Sequence, residues 1–279
     1  MPFIDSTAKL YYEDAGAGQP VVLIHGWPLT GQMWEYQLPT LVDAGYRCIT
    51  YDRRGFGQSE RPWDGYDYDT LAADLDALMT QLDLRDAVLV GFSMGGGEVA
   101  RYLATYGHDR VSKAVLMSAV TPSLAKSDAN PDGVPEAVLD EFMEGLLNDR
   151  IQFLEEFGHA FFGVANTVLG VEVKKGQDVS GPLLEHYRDL AAGASPRATR
   201  ECALAFGGTD FSADLAKIDV PTMVIHGDAD KTVPFEATGK RAAAMIAGSR
   251  LEVLDGAPHG LWYTHRQQVN DLLVDFLRR

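Results

Sequence analysis

The sequence predicts an α/β fold: a mostly parallel sheet with helices on both faces and an inserted helical lid. Three observations predict it. Short β-branched runs alternate with helical patterns along most of the chain. The alternation lapses between about residues 121 and 210, where helical patterns dominate. A turn of the form G-x-S-x-G, Gly91-Phe92-Ser93-Met94-Gly95, joins an apolar run to a helical one. The core is therefore expected over residues 1–120 and 211–279, with the lid over 121–210, a division that 279 residues accommodate.

The elements follow in chain order. Residues 8–14 (Ala-Lys-Leu-Tyr-Tyr-Glu-Asp) are expected to form an antiparallel edge strand. Val21–Ile24 is a β-branched run ended by His25-Gly26, and Arg47–Tyr51 is another, ended by Asp52. Leu71, Leu75, Leu78, Met79 and Leu82 recur at helical spacing, and Asp69 or Thr70 is a candidate cap for that helix. Ala87–Val90 and Ala114–Met117 are the next strands. The lid opens with turn formers from Ser127 to Pro135, then carries Phe153, Phe157 and Phe161 at a spacing of four, a stripe expected to pack the lid on the core. Thr222–Ile225 and Leu251–Leu254 complete the sheet. Strands that alternate with helices pair in parallel, with their carboxyl ends at one edge.

Composition excludes several roles. The formal net charge of -16 repels nucleic acid and anionic membrane surfaces, so neither is an expected partner. No apolar stretch is long enough to span a bilayer. Cys48 and Cys202 stand alone in dissimilar contexts, which points to a reducing compartment rather than a disulfide framework. The opening Met1-Pro2-Phe3-Ile4-Asp5 has no basic or long apolar run, so the expectation is no secretory leader and a cytoplasmic location.

The turn at 91–95 carries the chemistry. A tight strand-to-helix turn with small neighbours displays a serine hydroxyl above the sheet, beside a helix N-terminus that favours a developing anion. A hydroxyl is a weak nucleophile and needs a base, so Ser93 calls for a histidine and an acid later in the chain. Both belong in loops just past strand ends. His259, in Gly256-Ala257-Pro258-His259-Gly260, follows the strand Leu251–Leu254. The acid belongs after Thr222–Ile225, in His226-Gly227-Asp228-Ala229-Asp230. Two aspartates compete there. Asp230 is favoured because it lies farther past the strand and can turn toward His259, while Asp228 is expected to tie down the turn. His259 would take the proton from Ser93, with loss of rate at acid pH once the imidazole is protonated. The amides of Met94 and Trp27 are the candidate oxyanion-hole donors, and Pro28 stiffens the loop behind Trp27. No metal is called for: His226, Asp228 and Asp230 have no second cluster to complete a site, and no phosphate-binding motif surrounds Gly95–Gly97. His25 and His226 are read as residues that shape their loops.

With these residues placed, the chain resembles the α/β-hydrolase superfamily, and more narrowly the cofactor-free (non-haem) haloperoxidases, or perhydrolases, and the related aryl esterases. The resemblance rests on His25-Gly26-Trp27-Pro28-Leu29, on Tyr51-Asp52-Arg53-Arg54-Gly55-Phe56-Gly57-Gln58-Ser59, on Gly91 to Gly97, on Val224 to Asp230 and on Ala257-Pro258-His259-Gly260. It implies the α/β-hydrolase fold, the triad Ser93, Asp230 and His259, and oxyanion amides on Trp27 and Met94. It also implies a small ester or acid substrate, hydrogen peroxide as a second substrate, and no metal, haem or flavin. In that family a proline directly after the oxyanion-hole residue is associated with perhydrolysis, and Pro28 occupies that place. Members often form homo-oligomers.

Two other readings share the scaffold. Enantioselective γ-lactamases are similar in these segments, which would make amide bonds the target. Some ligand receptors on the fold keep a serine triad and turn over slowly. Haloalkane dehalogenases carry an aspartate at the turn, and Ser93 argues against that chemistry.

Overall fold

Apart from the run Leu251–Leu254, whose Leu251 and Val253 stand exposed, the apolar runs form strands because their side chains are buried against helices on either face of one sheet. A computed structural model of the chain describes residues 2–164, 167–168, 171–172 and 179–279. In chain order the strands are β1 (Phe3–Asp5), β2 (Lys9–Gly16), β3 (Pro20–Ile24), β4 (Arg47–Tyr51), β5 (Ala87–Phe92), β6 (Val111–Met117), a short hairpin of β7 (Thr167–Val168) and β8 (Val171–Glu172), then β9 (Thr222–Gly227) and β10 (Arg250–Leu254). The main sheet has eight strands in the order β1-β2-β4-β3-β5-β6-β9-β10. Pairing is parallel from β4 to β10 and antiparallel at β1/β2 and β2/β4. All six residues of the central β5 are buried, as a parallel strand covered on both faces requires.

Three expectations are corrected. The strand expected at the edge, β2, is not the edge: β1 pairs along its outer side, Phe3 opposite Tyr11. Three residues are too few to leave a periodic signal. Gly91 does not end β5, because Ile24 of β3 and Leu116 of β6 flank it and carry the ladder through to Phe92. Helix α1 (Leu38–Asp43) follows β3, and the next helix, α2 (Tyr68–Gln81), is capped by neither Asp69 nor Thr70. Asp67 is the last extended residue, and its carboxylate accepts from the Thr70 amide at 2.9 Å.

Helix α3 (Met94–Tyr106) starts directly after Ser93 and packs beneath β5 and against α2. Between β6 and β9 lie four longer helices: α4 (Glu136–Asn148), α5 (Arg150–Phe161), α6 (Gly181–Ala192) and α7 (Pro196–Gly208). Because β3, β5, β9 and β10 run parallel, the loops after them open at one edge of the sheet. Residues 25–27, 93, 228–233 and 255–260 meet there.

Candidate active site

Ser93 adopts φ 54° and ψ −118°, a conformation few side chains accept. The sequence makes it possible with glycines on both sides. A Cβ on Gly91 would stand 2.4 Å from the Gly95 carbonyl oxygen, and one on Gly95 would stand 2.6 Å from that of Ile24. Glycine at both positions lets α3 approach the sheet within that distance. The Ser93 amide donates to the Met117 carbonyl at 2.8 Å, which fixes the turn to β6.

Three side chains distant in sequence form a continuous relay. His259 Nε2 lies 2.9 Å from Ser93 Oγ, and His259 Nδ1 lies 2.7 Å from Asp230 Oδ2. A carboxylate only accepts, so the proton sits on Nδ1 and Nε2 is free to receive the serine hydroxyl proton. Burial disfavours charge on Asp230, but the imidazole of His259 and hydrogen bonds from His226 and His259 outweigh it. They hold its carboxyl well below the usual carboxylate range. Its other oxygen accepts from the amides of Thr232 and Val233 at 3.0 and 2.8 Å.

Asp228, the competing acid, lies apart from the relay. It accepts from the Gly256 amide at 2.7 Å. It therefore ties the loop after β9 to the loop after β10, rather than turning its own loop as an Asx acceptor. His226 Nε2 donates to the Val233 carbonyl at 2.8 Å and stands 3.4 Å from Asp230 Oδ2. Sequence reasoning placed it as a loop-shaping residue without its contact to Asp230.

Trp27 lies beside the serine, in the loop after β3, and its indole Nε1 donates to the Thr199 carbonyl at 2.9 Å. Met94 is the first residue of α3. Among the described residues, neither main-chain amide donates a hydrogen bond within the protein.

A family model of the alpha/beta hydrolase fold matches residues 19–265. The chain belongs to the α/β-hydrolase family. It is 45% identical to the non-heme chloroperoxidase of Kitasatospora aureofaciens, over 97% of this chain and 96% of that protein. It is 38% identical to the bifunctional esterase/perhydrolase of Acinetobacter calcoaceticus, over 96% of each. The crystal structure of bromoperoxidase from Bacillus anthracis superimposes with a TM-score of 0.93 at 50% identity, covering 98% of this chain and 96% of that one.

In this α/β hydrolase, Ser93, His259 and Trp27 open onto a cavity of about 100 Å³. Phe142, Phe157 and Phe206 supply its aromatic walls, and Lys231 is the one permanently charged side chain on its lining among the described residues. The phenylalanine stripe divides its work. Phe153 packs against Phe142 as expected of a packing residue, but Phe157 lines the cavity and Phe161 sets its ring edge-on to His259, centroids 4.8 Å apart. The spacing of four marked the face without showing which rings reach the site. Cys48 and Cys202 are unpaired and buried, and burial pushes each thiol up to about 12, which leaves no thiolate to compete with Ser93.

Proposed function

We propose that this protein is a serine esterase and perhydrolase acting on small carboxylic esters. Ser93 is the nucleophile, His259 the base, Asp230 the acid that orients it, and the Trp27 and Met94 amides the oxyanion hole. The observation that carries this reading is the unbroken path from Asp230 through His259 to Ser93, with 2.7 and 2.9 Å contacts between residues 29 and 166 positions apart. The relatives named chloroperoxidase, bromoperoxidase and esterase/perhydrolase support the reaction class.

The steps follow from the geometry. Ser93 Oγ attacks the acyl carbonyl while His259 Nε2 takes its proton. The carbonyl oxygen becomes an anion that two fixed amides meet without reorganising, an effect in which one donor is typically worth about 100- to 1000-fold in turnover. His259 then returns the proton to the leaving alcohol, and the acyl group remains on Ser93. Water releases an acid and hydrogen peroxide releases a peracid, each losing a proton to His259 as it attacks. The peracid oxidises halide in solution, which accounts for the peroxidase names of relatives without a redox centre in the acyl-transfer steps. The segment 121–210 serves as the lid, since its Val134, Phe142, Phe157 and Phe206 wall the cavity. Its size, below the roughly 300 Å³ of drug-sized pockets, suits a short acyl chain.

The test is turnover of short-chain aryl esters with and without peroxide, on protein treated with a metal chelator. Hydrolysis and peracid formation are both expected, and Ser93→Ala is expected to lower both by about 10⁴-fold or more. A variant that keeps most of the activity rejects the assignment. Pro28→Leu is expected to shift the balance from peracid toward hydrolysis, and an unchanged ratio dismisses that role for Pro28.

A further inference from the structure

A buried polar bridge next to the relay takes no part in it. His25, Arg53 and Glu98 are each almost fully buried. His25 Nε2 accepts the backbone N–H of Arg53 at 2.9 Å. Its proton is therefore on Nδ1, which donates to the Gly26 carbonyl at 2.8 Å. The Leu29 amide gives that same oxygen a second bond at 3.0 Å. The guanidinium of Arg53 donates to the His25 carbonyl at 2.7 Å and pairs with Glu98, which also accepts from the Tyr51 hydroxyl at 2.6 Å. Glu98 stands on α3, the helix whose first residue is Met94.

We propose that His25, held by the Arg53–Glu98 pair, is a positioning residue for the oxyanion hole: it aims the Gly26–Trp27 peptide so that the Trp27 amide faces the reacting carbonyl. The argument is geometric. In a planar trans peptide the C=O and N–H point in opposite directions, so an oxygen pinned by two donors fixes the direction of the amide at its other end. The Gly26–Trp27 bond is trans. It also lies against the nucleophile, since a Cβ on Gly26 would stand 3.1 Å from Ser93 Cβ. Donation to Gly26 O further polarises the peptide, which strengthens its N–H as a donor. Through Arg53 and Glu98 the bridge ties this loop to α3, so the two halves of the hole share one frame. Packing alone does not account for it, because a buried ion pair adds little net stability over apolar groups of the same shape. Burial and the charge of Arg53 both hold the His25 imidazole well below its usual range, so it stays neutral and keeps this tautomer.

The inference rests on the serine esterase reading, and its test separates the two. Asparagine at 25 can place an N–H where Nδ1 sits, whereas glutamine places its amide toward the Nε2 position and loses the clamp on Gly26. For para-nitrophenyl acetate, His25→Gln is expected to lower kcat about 100-fold, as for loss of an oxyanion donor, with KM within about twofold. Its affinity for phenylboronic acid, a mimic of the tetrahedral adduct, is expected to weaken in parallel. His25→Asn is expected to recover most of both losses. Equal losses in the two variants, or a kcat loss without weaker boronate binding, overturns the proposal. If His25→Gln does not fold, Glu98→Gln carries the test: parallel losses in kcat and boronate affinity support the bridge, and full activity with full affinity overturns it. Failure of the wild-type protein to turn over the ester at all would instead remove the parent reading.

Discussion

Asp228 and Asp230 lie two positions apart in one loop, yet only Asp230 reaches the imidazole, at 2.7 Å. Asp230→Asn is expected to lower kcat by about 10⁴-fold, because an amide cannot hold His259 in the tautomer that accepts the serine proton. Asp228→Asn is expected to stay within about tenfold in kcat and to lose about 0.5–1.5 kcal/mol with the weakened bond to Gly256. Parallel kinetics and urea unfolding of the two variants check both outcomes, and a crippled Asp228→Asn enzyme would reverse the assignment. The sequence carried this distinction only as position past a strand end, since the length of a loop does not say where a carboxylate turns. It carried Ser93 and His259 more directly, because a turn of glycine, serine and glycine and a loop after the last strand are local features. It carried the neutral state of His25 not at all, because that depends on burial in the packed fold and on Arg53 brought against it from another strand end. That state has a consequence for stability. The folded chain leaves His25 unprotonated where the unfolded chain binds a proton, so stability falls as pH drops below the usual imidazole value of about 6.5, by about 1.4 kcal/mol per pH unit. Urea unfolding of His25→Asn at pH 7 and pH 5 is expected to show a smaller difference than wild type. An equal difference would mean that His25 is charged in the fold.

At the scale of the element, the site depends on how closely α3 meets the sheet. Gly95 faces the Ile24 carbonyl so tightly that one added carbon would overlap it. Gly95→Ala is expected to push the start of α3 outward, costing about 1–3 kcal/mol and carrying the Met94 amide out of line. The check is a melting temperature lower by about 2–4 °C per kcal/mol, together with a kcat loss larger than the change in KM. A variant with wild-type kcat would show that the helix start tolerates the shift. Elements of this kind were readable where the chain repeats a period: the buried strands β3 to β6 and β9, the half-exposed edge strand β10, and the leucine face of α2. They were unreadable where tertiary pairing decides. Three residues of β1 gain their structure from pairing with Tyr11 and its neighbours and from Gln81 of α2. The start of α2 was set by the extended backbone of Asp67, two residues before Asp69 and three before Thr70, the caps expected from the sequence. The aromatic stripe of α5 faced inward as its spacing implied, but only tertiary packing decides that Phe157 meets the cavity and Phe161 meets His259.

For the molecule as a whole, a net charge of -16 and Lys231, the one cation on the cavity lining among the described residues, act in opposite directions on a charged substrate. Long-range repulsion slows the approach of an anionic ester, whereas Lys231 attracts one already at the cavity. The balance depends on ionic strength. The Debye length falls from about 30 Å at 0.01 M salt to about 8 Å at 0.15 M, so salt removes the field of the distant carboxylates before it weakens a contact made inside the cavity. For an aryl ester whose acyl chain ends in a carboxylate, kcat/KM relative to the neutral ester of the same length is therefore expected to rise several-fold across that range, since steering of this kind changes encounter rates by about 10-fold or more. The neutral ester is expected to change little. Lys231→Met is expected to lower the anionic rate at both salt concentrations while preserving the upward slope. A downward slope in the wild-type protein would mean that Lys231, and not the surface, governs access. The slope of the Lys231→Met variant then decides between one dominant cation and a locally positive cavity mouth.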